Sequence, residues 1–220
     1  MTLAKFNFLP DLFWQWVGLN VLGLGIATTL CFSIKVSDFN IEILFLSGLI
    51  VGSITGALQP IVLQKRLPRL RYWQWIAANI LGGYMGIFGG GTIAAQVASM
   101  LSGSLAPSSV SYLSCLVFGA CMGLALSITQ LVVLLFVGRG ILVWSFCNVL
   151  GRAIAWVVGA AIALTLMEHF SAPVLFMPAW VSLLAGLVGG GIYGGVTGLA
   201  LSSLQPKAKK MSAVLVEDEV

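Results

Sequence analysis

Trp14-Gln15-Trp16-Val17-Gly18-Leu19-Asn20-Val21-Leu22-Gly23 and Trp73-Gln74-Trp75-Ile76-Ala77-Ala78-Asn79-Ile80-Leu81-Gly82 are two copies of one phrase, and Trp144, Asn148, Leu150 and Gly151 preserve it a third time. Each copy sits inside a long apolar run. A second phrase alternates with the first: glycines at four-residue steps, Gly52 and Gly56, Gly119 and Gly123, Gly194 and Gly198. Gly119 to Ser127 reads Gly-Ala-Cys-Met-Gly-Leu-Ala-Leu-Ser and Gly194 to Ser202 reads Gly-Gly-Val-Thr-Gly-Leu-Ala-Leu-Ser, so the sequence aligns Gly119 with Gly194, and Gly52, Thr55 and Gly56 with their beginnings. A Trp/Asn helix followed by a glycine helix, three times over, predicts a repeated helical hairpin. The complete hairpins are 41–98 and 111–166, and the third is divided between the last helix and the first.

The composition decides the solvent. With 59% hydrophobic and 8% charged residues and a mean hydropathy of +1.04, the chain lacks the polar residues to cover itself in water. A spanning helix needs roughly 20 mainly apolar residues. Six transmembrane helices are expected, at about 12–34, 41–63, 72–98, 111–137, 140–166 and 178–204. The fold class is therefore all-α integral membrane, a single domain over 1–204 followed by a short tail, 205–220. The apolar runs are continuous and do not alternate as the strands of a membrane barrel do.

Lysine and arginine set the orientation, since cytoplasmic loops retain positive charge. Lys5, the run Lys65, Arg66, Arg69 and Arg71, then Arg139, and finally Lys207, Lys209 and Lys210 fall on one side; Lys35 falls opposite, with Asp38, Glu42, Glu168 and His169. Both termini are expected in the cytoplasm. The net charge of +4 follows from these loop residues and calls for no nucleic acid, though it favours anionic lipid head groups. The first apolar stretch is longer than a signal-peptide core and lacks a small-residue cleavage site, so it reads as retained. Cys31, Cys115, Cys121 and Cys147 lie within spans without metal-ligand spacing, which predicts neither a disulfide nor a metal site.

If the hairpins surround a pseudo-threefold axis, the final helix packs beside the first, and the termini meet where a third cytoplasmic turn would stand. An open row of hairpins is the competing arrangement. Sites in membrane bundles of this kind lie between repeats.

Each recurring residue type has a physical role. Glycines four apart let a neighbouring backbone approach closely, which drives helix association in lipid. Gly186, Gly190, Gly194 and Gly198 make the longest such zipper, with Gly48, Gly52 and Gly56 on another helix and Gly82, Gly86 and Gly90 on a facing one. A tight helix interface explains them more simply than a glycine-lined pore. Trp16, Trp75 and Trp144 follow cytoplasmic loops, where indoles anchor at the head-group boundary. Asn20, Asn79 and Asn148 lie one turn deeper. Either each bonds a carbonyl of the adjacent glycine helix, or the three amides converge on the axis as a solute-binding ring.

Arg152 is the strongest single candidate for a binding site. It stands 13 residues beyond Arg139, roughly 20 Å along the same helix, with no acid expected at its depth. The matching positions are Gly83 and Leu24, so the repeat did not require it. An intramembrane arginine suggests function, but it is also expected to snorkel toward Asn148 and nearby carbonyls. Gln59, Gln96, Ser127, Thr129 and Gln130 are the other polar groups available to line a path.

Acid-base catalysis needs a titratable group near the reaction, and no Asp, Glu or His lies in the middle of an expected span. Enzymatic activity, cofactors and proton-coupled transport are not expected. Gly89-Gly90-Gly91 has no following lysine and is no phosphate loop.

The unit of a Gly-x-x-x-Gly helix, a turn with Gln59 and arginines, and then Trp75, Asn79 and Gly82 resembles a group of uncharacterised polytopic membrane proteins of bacteria, including cyanobacteria. The resemblance covers most of the chain. It implies a bacterial inner or thylakoid membrane and brings no activity. The second copy departs from the pattern near Gln130, where two extra residues enter and the basic turn shrinks to Arg139. The expected function is that of a non-enzymatic scaffold or assembly subunit whose partners are the bilayer and another membrane protein or a second copy of the chain. The alternative is a passive transporter or channel for a small anion or lipid, using the asparagines and Arg152.

Overall fold

A computed structural model describes residues 9–33, 41–169 and 178–207, without the side chains of 41–45. Lys5, Lys35, Asp38, Lys209 and Lys210, and most of the tail, lie outside the described residues, as does the side chain of Glu42. The described chain is all-α: α1 (Pro10–Ser33), α2 (Ile41–Leu58), α3 (Pro60–Arg66), α4 (Tyr72–Leu101), α5 (Pro107–Val137), α6 (Ile141–His169) and α7 (Ala179–Leu201), with two-residue strands β1 (Gly138–Arg139) and β2 (Gln205–Pro206). Five helices, α1, α4, α5, α6 and α7, are long and apolar enough to cross a membrane, as suits a multi-pass membrane protein. Helices α2 and α3 together make a sixth such length, bent by 42° at their junction.

That bend corrects the uninterrupted stretch expected over 41–63. Pro60 has no N–H to return to the preceding turn and clashes with a straight continuation, so it starts α3 at the first helical position. Gln59 still bonds in both directions, its N–H to Thr55 and its carbonyl to Leu63, each at 3.1 Å.

The helices pack in the cyclic order α1, α2, α4, α5, α6, α7, and α7 returns against α1. Backbone approach is tightest at the glycines. A Cβ on Gly52 would stand 2.5 Å from the Asn79 carbonyl oxygen and from Ile80 Cα; on Gly123, 2.8 Å from the Asn148 oxygen and 2.6 Å from Val149 Cα; on Gly190 it would collide with the Asn20 oxygen and Val21 Cα. One turn away, Gly48 meets Tyr84 Cα, Gly119 meets Ala153 Cα and Gly186 meets Gly25 Cα in the same manner.

These contacts correct the sequence alignment of the glycine helices by one turn. Gly119 takes the place of Gly48 and Gly186, and Gly123 that of Gly52 and Gly190. Gly56 and Gly194, each against the Cβ of an asparagine, correspond to Ser127. The shared Gly-Leu-Ala-Leu-Ser letters had favoured the wrong turn. Gly198 instead sits against Phe13 and Trp16, while Gly82, Gly86 and Gly90 all face α5.

The basic end of the bundle is closed. Val62, Leu63, Leu67, Leu70, Leu134, Val137, Leu201 and Leu204 form one buried cluster with Trp16, Trp75 and Trp144. Arg66 caps the end of α7, Nε donating to the Leu204 carbonyl at 2.7 Å and Nη2 to that of Ser202 at 3.1 Å, where carbonyls lack helical partners. β1 and β2 pair antiparallel, with Arg139 opposite Gln205. Gly140 makes the turn into α6 at φ +82°, with its Cα hydrogen facing the Ser203 carbonyl where a side chain would collide.

Candidate functional site

The indoles of Trp16, Trp75 and Trp144 are fully buried. Trp144 meets the other two edge to face, at centroid distances of 5.4 Å to Trp16 and 6.1 Å to Trp75. They are therefore not boundary anchors. The exposed indoles of these helices are those of Trp14 and Trp73, at 68% and 63%, two residues earlier and on the opposite side of their helices. The reason lies in the cap formed by α3 and residues 67–70, whose Val62, Leu63, Leu67 and Leu70 share one buried cluster with the three indoles.

Around this triad the polar side chains join in one closed circuit. Gln59 Nε2 donates to Asn20 Oδ1 at 2.9 Å, and Asn20 Nδ2 to the Trp16 carbonyl at 2.8 Å. Trp16 Nε1 donates to Thr197 Oγ1 at 2.8 Å, and Thr197 to the Tyr193 carbonyl at 2.7 Å. Tyr193 OH donates to Asn148 Oδ1 at 2.7 Å, Asn148 Nδ2 to Gln130 Oε1 at 2.9 Å, and Gln130 Nε2 to Asn79 Oδ1 at 3.1 Å. Asn79 Nδ2 reaches the Trp75 carbonyl at 2.9 Å, and Trp75 Nε1 returns to Gln59 Oε1 at 3.1 Å. Trp144 Nε1 joins from the side, donating to Gln130 Oε1 at 3.0 Å.

Neither expected arrangement of the asparagines is found. They do not bond carbonyls of the glycine helices, and they do not converge as three bare amides. Asn20 and Asn79 donate to carbonyls of their own helices and accept from the glutamine of the adjacent glycine helix. Asn148 instead donates to that glutamine. Gln59, Gln130 and Thr197 stand seven residues after Gly52, Gly123 and Gly190 respectively, so they occupy matching places. Thr197, too short to reach an asparagine as the glutamines do, leaves Tyr193 to make that bond. The one-turn error in alignment had hidden both Thr197 and Tyr193.

Arg152 is 1% exposed. Its guanidinium lies over the Tyr193 ring, 4.1 Å from the centroid, in place of the expected snorkelling toward Asn148. Cation-π stacking of a desolvated pair contributes on the order of 2 kcal/mol, yet Nε and Nη2 have no hydrogen-bond partner. Tyr193 belongs to an apolar cluster that includes Leu24, Val51, Ile87, Met122 and Leu126.

The remaining polar candidates fall elsewhere. Ser127 donates to the Gly123 and Ser145 carbonyls, and Thr129 to those of Ala125 and Leu126. Gln96 is exposed toward the C-terminal end of α4, and Glu168 and His169 are exposed at the end of α6. A shallow cleft beside Arg66, between Phe13 and Gly198, holds about 10 Å³, room for one water.

No protein-family model matches the chain, and no curated protein or solved structure is significantly similar to it.

Proposed function

We propose that the protein is a non-enzymatic multispanning membrane protein that serves as a scaffold or assembly subunit of a membrane complex. Its six crossings form three like hairpins about a pseudo-threefold axis, in a bacterial inner or thylakoid membrane with both termini cytoplasmic. The observation that carries this reading is the closed circuit about the tryptophan triad: the polar side chains at the basic end of the bundle satisfy one another, and the triad with its leucine cap fills the space between the helices. Outward, Val132, Phe136, Leu142 and Phe146 are exposed, an apolar surface suited to lipid or to the helices of another subunit. The recurrence of the Gly52, Gly123 and Gly190 contacts supports three equivalent hairpins. The gathering of Lys65, Arg66, Arg139 and Lys207 at one end supports the orientation.

The test is isolation of the full chain in mild detergent with identification of co-purifying polypeptides. A membrane protein recovered at fixed stoichiometry, and lost when Phe136 and Phe146 are replaced by alanine, is the expected result. Recovery as a partner-free monomer from native membranes would refute it.

A passive carrier of a small anion or lipid is the second reading, favoured by the two buried, unpartnered guanidinium nitrogens of Arg152. It predicts solute flux in proteoliposomes that Arg152→Leu abolishes.

A further inference from the structure

We propose that the ring of helices opens at one seam, between α1 and α2, while the seams α4/α5 and α6/α7 stay shut. The three seams are built alike and packed unequally. Toward α5, helix α4 presents Gly82, Gly86 and Gly90; toward α7, α6 presents Gly151, Ala155 and Gly159; toward α2, α1 presents Gly23, Ala27 and Cys31, at the same four-residue steps. The side chains standing between two helices thus grow from the first seam to the last, and small residues are what lets backbones approach. A Cβ on Gly82 would stand 2.8 Å from Leu126 Cα, and one on Gly86 2.9 Å from Met122 Cα. For Gly151 the nearest facing backbone atom is the Tyr193 oxygen at 3.5 Å, and for Gly23 it is Thr55 Cα at 3.9 Å. Thr55, Leu126 and Tyr193 each follow Gly52, Gly123 and Gly190 by three residues, so one position is being compared. Two turns further along, Gly90 lies against the Phe118 carbonyl. Cys31 meets the Ser47 carbonyl only at 3.9 Å, through a thiol that donates weakly.

The basic end keeps α1 attached. Gln59 bonds Asn20 at 2.9 Å, Lys65 Nζ donates to Gln15 Oε1 at 2.6 Å, and Arg66 holds the end of α7. The seam can therefore part without the ring coming undone, since local opening begins where close contacts are fewest. Parting it uncovers Ala27 and Thr55, both buried in the closed ring. This inference goes beyond both functional readings, since an opening seam is compatible with a scaffold and with a carrier.

The experiment labels two introduced cysteines in one full-length chain with N-ethylmaleimide in mild detergent, after Cys31, Cys115, Cys121 and Cys147 have been replaced by serine. One chain carries Ala27→Cys with Ala155→Cys, and another Thr55→Cys with Thr129→Cys. All four positions are buried, and Thr129 faces Gly82 across the α4/α5 seam, so each pair compares the α1/α2 seam with a tighter one by the same substitution. Global unfolding uncovers both thiols of a chain together; a difference between them, read by peptide mass spectrometry, reports the opening of one seam. Ala27→Cys should be modified at least tenfold faster than Ala155→Cys, and Thr55→Cys at least tenfold faster than Thr129→Cys. A smaller or reversed difference in either pair overturns the proposal. If a paired variant does not fold, its two single variants, compared at equal intervals below their melting midpoints, decide by the same ratio.

Discussion

Gln59 and Asn20, 39 residues apart in sequence, are joined at 2.9 Å across the seam between α1 and the α2–α3 bend. The bond depends on Pro60: the break it makes leaves Gln59 at the end of α2, with the same side chain also accepting from Trp75 on the next helix. One amide thereby ties three segments together.

Gln130 does the same with one more partner, receiving Trp144 and Asn148 and donating to Asn79. Gln130→Leu should lower stability by about 2–4 kcal/mol, since it strands buried donors that each cost roughly 1–3 kcal/mol less any local rescue. Gln59→Leu should cost less. Because Asn79 shares the bond, Gln130→Leu combined with Asn79→Ala should destabilise by less than the sum, as measured by reversible denaturation in detergent.

Glycine substitutions should divide by position. Gly52→Leu and Gly123→Leu place side chains into the backbones of α4 and α6 and should reduce the melting midpoint by 10 °C or more, from steric cost of several kcal/mol. Gly89→Leu, where nothing lies within 4 Å, should leave it within about 2 °C. Equal effects at Gly52 and Gly89 would contradict the interface.

Tryptophan fluorescence distinguishes the buried triad from the exterior. Variants retaining only Trp75 or only Trp144 should emit at short wavelength and resist an aqueous quencher. Those retaining only Trp14 or Trp73 should be reached by quenchers carried on lipid. Trp16→Phe keeps an aromatic ring but gives up the bond to Thr197 and should cost about 1 kcal/mol.

Arg139→Cys with Gln205→Cys, in a background without Cys31, Cys115, Cys121 and Cys147, should form a disulfide on mild oxidation, because paired antiparallel positions lie within disulfide reach. Failure to cross-link would contradict the pairing of β1 with β2. The readout is a mobility shift on a denaturing gel, reversed by reductant.

Much of the helical plan could be read from Trp16, Trp75 and Trp144 and the apolar runs around them, because a chain in lipid must close its backbone bonds within helices. Which glycine met which asparagine could not. Short, similar words such as Gly-Leu-Ala-Leu-Ser fit two registers one turn apart, and only contact across helices separates them. The burial of the tryptophans was equally hidden, since it depends on the α3 cap, which packs beneath them from elsewhere in the chain. Arg152 was conspicuous by its charge. Tyr193, its stacking partner, looked like one more aromatic in a membrane helix until its place beside Asn148 was seen.

From Gln59 back to Gln59, every donor points the same way round, from α2 to α1, α7, α6, α5 and α4. A loop of dipoles oriented head to tail has a sense of rotation, and turning over one carboxamide would set donor against donor on one side and acceptor against acceptor on the other. Indole N–H groups can only donate and main-chain carbonyls can only accept, so Trp75 and Trp144 hold the carboxamides of Gln59 and Gln130, and the Trp75 carbonyl holds that of Asn79, in a single orientation. This level of the molecule has one setting and no second.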